Sequence, residues 1–402
     1  MLIRDWLIDF ALASARKKAM DRHRRINEQE RTAVVIAPAA AGSMGDAAML
    51  NVVRDQLRQR GFSSVSVLSP EGWSPIDGFD NYFDFDPWFF GGRRSYLVEA
   101  IKLLSGYSHS FLIGADCIDG TYNPQSIIRR MTLIDEHARM GGNARIMGAS
   151  FSEFPKSEAV ERIRSLDQNV LICSRDPVSR ERLQAATSRK VRQTADLAFL
   201  TAREPIRSEA VTAREFIKQQ SSMGRPTIGL NINWHIERKS PGYASAHGQC
   251  VRMALEQGYS LILAPHDTRG SPSDWDLLKR AVTGLEDQFG DRMFFLAEMD
   301  PPSNIAVFEK LHFLITGRMH AAILAMTGGT PALCFTYQGK FEGLYKLLKL
   351  DDLSLLHDPN ELANDPNVWR KIFETLDAHA IVAPRVEDSY EIARAAALRN
   401  FE

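Results

Sequence analysis

The sequence predicts an α/β protein made of two doubly wound, Rossmann-like domains, and three observations carry that expectation. Short apolar runs alternate with helix-period segments through most of the chain, which is the pattern of βαβ units on parallel sheets. At 402 residues the chain is too long for one ordinary core. A polar stretch around Ala202–Arg225, with Pro205 and Pro226 near its ends, separates two such series.

In the first series, strands are expected near Thr32–Ala37, Ser64–Leu68, Ser110–Gly114, Ala144–Ala149 and Val170–Cys173. Their apolar character on successive residues suits strands covered on both faces. Helices fit Asp46–Arg60, Arg94–Leu104, Pro124–Met140 and Ser157–Leu166. In the second series, strands fit Thr227–Ile232, Ser260–Ala264, Met293–Leu296, Phe313–Thr316 and Ala332–Phe335. The expected organisation is an N-terminal helix over residues 1–31, a first domain over 32–205, a connection over 206–225 with a short helix at Glu209–Gln219, a second domain over 226–362, and C-terminal helices over 363–402 that return to the first domain.

Composition excludes several classes. Hydrophobic residues make up 44% and charged residues 25%, as in a soluble globular protein. A net charge of −1 argues against nucleic acid as a partner. The four cysteines, Cys117, Cys173, Cys250 and Cys334, have no paired spacing and suit small core residues in a reducing compartment. No apolar stretch approaches the ~18 residues that span a bilayer, and the N-terminus lacks a secretory pattern, so a cytoplasmic protein is expected.

Residues 1–25 qualify that expectation. Leu2, Trp6, Leu7, Phe10 and Ala11 recur near helical spacing and are followed by Arg16, Lys17, Lys18, Arg22, Arg24 and Arg25. Such a helix can pack on its own domain or a second subunit, or lie peripherally on the anionic inner face of a membrane; packing is the simpler outcome.

The densest functional signal is Phe313–Leu350: a buried strand, a Gly-Arg-Met-His turn, an apolar helix, a Gly-Gly break and a second buried strand. Arg318 and His320 fall where a strand ends, and in an open α/β sheet ligands bind outside the carboxyl ends of the strands. An arginine and a histidine beside a helix N-terminus suit an anionic substrate and a proton transfer. Tyr337 and Lys340 follow the next strand. Gly42, Ser43 and Asp46 lie between the first strand and the first helix, where Asp46 either caps the helix or touches substrate. Asp116, Asp119 and Asn123 follow another strand and are placed either for a turn or for sugar hydroxyls. Asn231, Asn233 and His235, then His266, Asp267 and Arg269, follow the first two strands of the second series. No zinc motif or Ser-His-Asp order stands out, so metal and hydrolase readings are poor.

These residues together resemble the polysaccharide pyruvyltransferases. The resemblance rests on Ile315-Thr-Gly-Arg-Met-His-Ala-Ala-Ile-Leu-Ala325, Gly329-Thr-Pro-Ala332, Tyr337, Lys340 and Gly343-Leu344, with Gly42–Asp46, Ser174–Ser179 and Thr194–Ala198 upstream. The chain has Ser43 where the family commonly has Asn, and Gly-Ala-Asp at 114–116 where a triple Gly is common. The resemblance implies a glycosyltransferase-B-like fold, with the two domains facing across a cleft. It also implies transfer of pyruvate from phosphoenolpyruvate to a saccharide hydroxyl pair as a ketal, with no cofactor or metal, on an acceptor that is free or lipid-linked. Self-association into a homo-oligomer is left open.

On this reading Arg318 and Arg175 grip the donor's anionic groups, with His266, Tyr337 and Lys340 beside them. An ion pair with Asp176 or a neighbouring helix is the alternative for Arg175. His320 supplies the proton, or else only hydrogen-bonds phosphate. Gly42, Ser43, Asp46, Asp116 and Asn123 serve the acceptor, with Asp46 as a candidate base. Two rivals remain: a nucleotide-sugar glycosyltransferase, for which Glu342 is the candidate ribose ligand, and a non-catalytic saccharide-binding protein of the same fold.

Overall fold

The computed structural model describes residues 2–23, 31–39, 41–70, 78–267, 271–336, 339–365 and 367–402, with side chains described from residue 8 onward except at 363–364. Arg24, Arg25, Arg269 and Tyr337 therefore lie outside the described residues. The chain divides into two compact units: Met1–Ala41, Met49–Leu197 and Ala396–Glu402 form the first, and Gly42–Ala48 with Ala198–Ala395 form the second.

The first unit holds a seven-stranded sheet: β1 (Thr32–Ile36), β2 (Ser64–Ser69), β3 (Tyr82–Asp84), β4 (His109–Ile113), β5 (Asn143–Ala149), β6 (Leu171–Ser174) and β7 (Val191–Gln193). Their order is β3-β2-β1-β4-β5-β6-β7, and each neighbouring pair is parallel. Ala33, Val34, Val35 and Ile36 are all fully buried, which explains why β1 reads as a continuous apolar run rather than an alternating one. The second unit repeats the plan with β8 (Thr227–Leu230), β9 (Ser260–Leu263), β10 (Met293–Phe295), β11 (Phe313–Thr316), β12 (Ala332–Phe335) and β13 (Leu356–His357). Its parallel order is β10-β9-β8-β11-β12-β13. In both sheets the winding direction reverses beside the first strand, between β1 and β4 and between β8 and β11, the place where doubly wound folds bind ligands.

Several elements depart from expectation. The short strands β3, β7 and β13 were not anticipated. The crossing between units falls at Leu197–Ala198 rather than in 206–225. The helix Ser208–Ser222 is part of the second unit, because Ala210, Ala213 and Ile217 form an apolar stripe packed against Ile305, Phe308 and Leu311. The N-terminal helix Leu2–His23 packs within the first unit: Leu12, Ala15 and Ala19 join its core, and Arg16 pairs with Glu136. The helix Asn367–Asp377 and most of His379–Leu398 belong to the second unit, while the last residues join the first through Asn400, which accepts from the Gly148 N–H and donates to Ala195 O. No helix among the described residues is long and apolar enough to cross a membrane.

Candidate functional site

The strongest cluster stands at the reversal point of the second sheet. β8 runs into Asn231 and the short helix Trp234–Lys239, which Asn233 caps by accepting from the His235 N–H. β9 runs into His266 and Asp267, and β11 into Gly317, Arg318 and the helix Met319–Thr327 that carries His320. One buried carboxylate ties the three loops together. Asp274 Oδ2 accepts from Asn231 Nδ2 at 3.1 Å, from the backbone N–H of His266 and Asp267 at 3.3 and 3.2 Å, and from Arg318 Nε at 3.1 Å. Its Oδ1 accepts from the Trp234 N–H at 3.1 Å and Arg318 Nη2 at 2.6 Å.

Arg318 is therefore held by its own chain. Asp274 takes two of its N–H groups, and Asp267 Oδ2 accepts from Nη1 at 3.2 Å. A guanidinium this buried requires such partners, since the desolvation of an unpaired one would cost several kcal/mol. Asp267 and Asp274 clamp Arg318 and so fix the 317–320 turn, with the Arg318 backbone N–H also bonded to Thr316 Oγ1 at 2.9 Å. Gly317 is needed there because a Cβ would strike Ile236, Asn233 and the Tyr243 hydroxyl.

His320 is half-buried on the first turn of its helix. Its ring lies nearly parallel to that of His266, with centroids 6.5 Å apart and planes at 13°. Gly45 covers it so closely that a Cβ there would overlap the imidazole. Ser43 forms a backbone bridge with Asp267, and the Asp46 N–H reaches Ser43 Oγ at 3.4 Å at the start of the helix Met44–Gln59. Gly42, Ser43 and Asp46, assigned from sequence to the first domain's acceptor side, thus cluster with the second unit beside His320 and His266.

Lys340 is buried at the start of the helix Lys340–Leu348. A cavity of about 370 Å³ opens beside it, lined by Ile236, Lys239, Thr336, Gly339, Glu342 and Asn360 among others. Burial pushes the Lys239 ammonium down, and the nearby charges of Lys340 and Arg238 push it further. The same cavity also presents the carboxylates of Glu342 and Asp358. Ile236 connects the cavity to the site, because it also packs on Gly317. A larger groove of about 650 Å³ along Ser208–Ser222 and Lys310 contains none of these residues.

The remaining candidates lie in the first unit. Arg175 pairs with Asp196 at 2.9 Å and donates to Ser150 Oγ at 2.8 Å. Burial alone would lower its guanidinium, but Asp196, Asp116 and Asp176 outweigh that and hold it above its ordinary value. Asp176 instead caps the helix Pro177–Thr187 by accepting from the Ser179 N–H. The Arg-Asp-x-x-Ser and Thr-x-Asp segments thus meet as an internal ion pair. Asn123 caps Pro124–Arg139 through the Ser126 N–H, and Asp116 accepts from the Tyr122 hydroxyl at 3.1 Å.

Sequence reasoning missed Asp274 and Lys239. Asp274 left one readable trace: it opens a helix whose Ser273 and Asp276 form a capping box.

Comparison with known proteins identifies the family and the fold. The family model described as polysaccharide pyruvyl transferase matches residues 44–339. Amylovoran biosynthesis protein AmsJ of Erwinia amylovora is 26% identical over 234 residues, 55% of this chain and 54% of AmsJ, so the match spans about half of that relative. Among solved structures, S. aureus MnaA with UDP superposes with a TM-score of 0.61 at 12% identity, covering 89% of this chain and 91% of that one. Sucrose-phosphate synthase from Thermosynechococcus elongatus gives 0.56 at 14% over 92% and 97%. UDP-GlcNAc 2-epimerase from Neisseria meningitidis, bound to UDP-GlcNAc, gives 0.55 at 10% over 92% and 100%. At such identities the likeness is one of fold, which is glycosyltransferase-B-like. The family match covers most of the chain, and the chain belongs to the polysaccharide pyruvyl transferase family.

Proposed function

We propose that this family member transfers pyruvate from phosphoenolpyruvate to a hydroxyl pair of a saccharide during polysaccharide biosynthesis. The observation that carries the reading is the half-buried His320, stacked with His266 and roofed by Gly45 at the reversal point of the second sheet. In its protonated form His320 gives a proton to the donor's methylene carbon, leaving an oxocarbenium-like centre at the adjacent carbon. One sugar hydroxyl adds there and loses its proton. The second hydroxyl then displaces phosphate and closes the ketal, returning a proton to His320, while the phosphate leaves as hydrogen phosphate with the first hydroxyl's proton, so protons and charge balance. Asp46, buried and next in the chain to the Gly45 that covers His320, is our candidate to receive the first hydroxyl's proton. Lys239, which lines the adjoining cavity, and Lys340, which follows its Gly339, are our candidates to hold the donor's anionic groups. Arg318 and Asp274 act through the loops they fix, and Arg175 supports the first unit's strand ends.

A second reading, glycosyl transfer from a nucleotide sugar, draws on Glu342 in the same cavity. A thermal-shift titration separates the two. Stabilisation by phosphoenolpyruvate and none by UDP supports pyruvate transfer; the reverse overturns it. For catalysis, phosphate release from phosphoenolpyruvate is followed with lactose or cellobiose as acceptor. His320→Ala should lower kcat by roughly 100- to 10,000-fold, the usual range for a positioned acid, with an unchanged unfolding midpoint. Undiminished turnover in that variant would remove His320 from its role.

A further inference from the structure

The first unit carries a second polar and aromatic cluster that no step above uses. The loop after β4 and the loop after β5 are tied together: the Ser152 N–H donates to Asp119 Oδ2 at 3.1 Å, the Lys156 N–H to Asp119 O at 2.9 Å, and Thr121 Oγ1 lies 3.5 Å from Ser152 Oγ. On this joined pair of loops two aromatic rings stand out in solvent, Tyr122 at 46% and Phe154 at 81% exposure. A phenylalanine so exposed contributes nothing to its own unit's core. Hydrogen-bonding groups share these loops: Asp116, whose Oδ2 accepts from the Tyr122 hydroxyl, and the hydroxyls of Thr121, next to Tyr122, and of Ser152, two residues before Phe154. Both loops leave the carboxyl ends of strands, the ligand-binding edge of this kind of sheet.

From this juxtaposition we propose that Tyr122 and Phe154, with Asp116, form a stacking subsite for sugar rings of the acceptor saccharide. A pyranose has one face of C–H groups and a rim of hydroxyls. An aromatic ring takes the C–H face through dispersion and weak C–H contacts. A carboxylate and serine or threonine hydroxyls take the rim. An acyl chain would use the rings but would bring no hydrogen-bonding groups to the carboxylate and hydroxyls beside them, whereas the hydroxyl rim of a sugar does. The proposal rests on the reading of the acceptor as a saccharide, and its occupant is a carbohydrate chain rather than a lipid surface.

The test compares wild type with Phe154→Ala, Tyr122→Phe and the double variant Tyr122→Ala/Phe154→Ala. Both positions are exposed, and equal unfolding midpoints establish that the variants fold. Saturation-transfer NMR with lactose, cellobiose and N,N′-diacetylchitobiose should show transfer to ring C–H protons in wild type. The double variant should bind about tenfold more weakly, as expected for the loss of two stacking contacts, while Tyr122→Phe keeps the stacking and loses only the hydroxyl contact. Equal binding by wild type and double variant, or no binding of any of the three sugars, overturns the proposal. So does a double variant that keeps sugar binding but loses flotation with anionic phosphatidylglycerol vesicles. Stabilisation by phosphoenolpyruvate should be the same in all variants. Its absence throughout, with sugar binding still ring-dependent, would overturn the donor assignment and leave this subsite standing.

Discussion

The two units solve the same architectural problem and differ in what they leave accessible. Each winds a parallel sheet outward from its first strand in the same order. Each places an arginine just past a strand end and buries it against aspartate: Arg175 with Asp196 in the first, Arg318 with Asp267 and Asp274 in the second. In the second unit two imidazoles stand beside the clamped arginine, and Gly45 approaches one of them closely. In the first unit no imidazole accompanies Arg175 among the described contacts; the accessible groups on the loops after β4 and β5 are aromatic rings and a half-buried carboxylate. An arginine at a strand end is thus scaffolding in both places. What distinguishes the second unit is the pair of imidazoles beside its arginine, His266 buried and His320 half-buried.

Removing the two arginines should produce the largest effects. Stripping one partner from a buried ion pair leaves uncompensated charge and typically costs about 3–5 kcal/mol. Arg318→Ala strands two carboxylates, Asp267 and Asp274, and unties the 317–320 turn from the loops that Asp274 holds, whereas Arg175→Ala strands one carboxylate, Asp196. Urea unfolding should therefore rank Arg318→Ala as the more destabilised, with Arg175→Ala also well below wild type. If either changes stability by less than about 0.5 kcal/mol, the range of ordinary surface substitutions, that arginine is not scaffolding and the parallel between the units breaks.

What was legible in the sequence follows the same division. Central strands such as Ala33–Ile36 and Phe313–Thr316 are buried on both faces and announce themselves as unbroken apolar runs. The edge strands Tyr82–Asp84 and Leu356–His357 are short and part-exposed, so no such run marks them. Arg318 and His320 were readable because they follow a legible strand within a few residues. Asp274 was not, since its partners Asn231, Trp234 and Arg318 lie some 40 residues away in the chain and only the sheet topology brings them together. The Gly42–Ala48 turn misled for the same reason: it follows a first-unit strand, but its contacts are with the second unit.

A smaller effect tests whether the two cores respond alike to acid. His137 in the first unit and His247 in the second are both pushed down to about 4, in each case chiefly by burial. In the unfolded chain each takes up a proton near the ordinary value of about 6.5. Between those values the unfolded state binds the extra proton, so stability is full above pH 6.5 and declines as pH falls toward 4, by roughly 3 kcal/mol per histidine. Replacing either with glutamine should remove about one proton from the linkage, flattening the pH slope by roughly 1.4 kcal/mol per pH unit in this window. An unchanged slope in only one variant would show that one unit opens before it titrates.

The finest discrimination concerns Asn123, which the sequence offered as an acceptor ligand and the structure places as a helix cap. Its side-chain oxygen accepts from the Ser126 N–H at 3.0 Å. Asn123→Asp keeps an acceptor there and adds a charge that a helix N-terminus favours, so stability should hold. Asn123→Ala should cost about 1 kcal/mol. If capping is its whole role, acceptor KM is equal in the two variants once each is fully folded. A KM raised in both, against a normal KM for phosphoenolpyruvate, would mean that the Asn123 amide also reaches the sugar, and the first unit's polar edge would extend from Asp116 to this helix start.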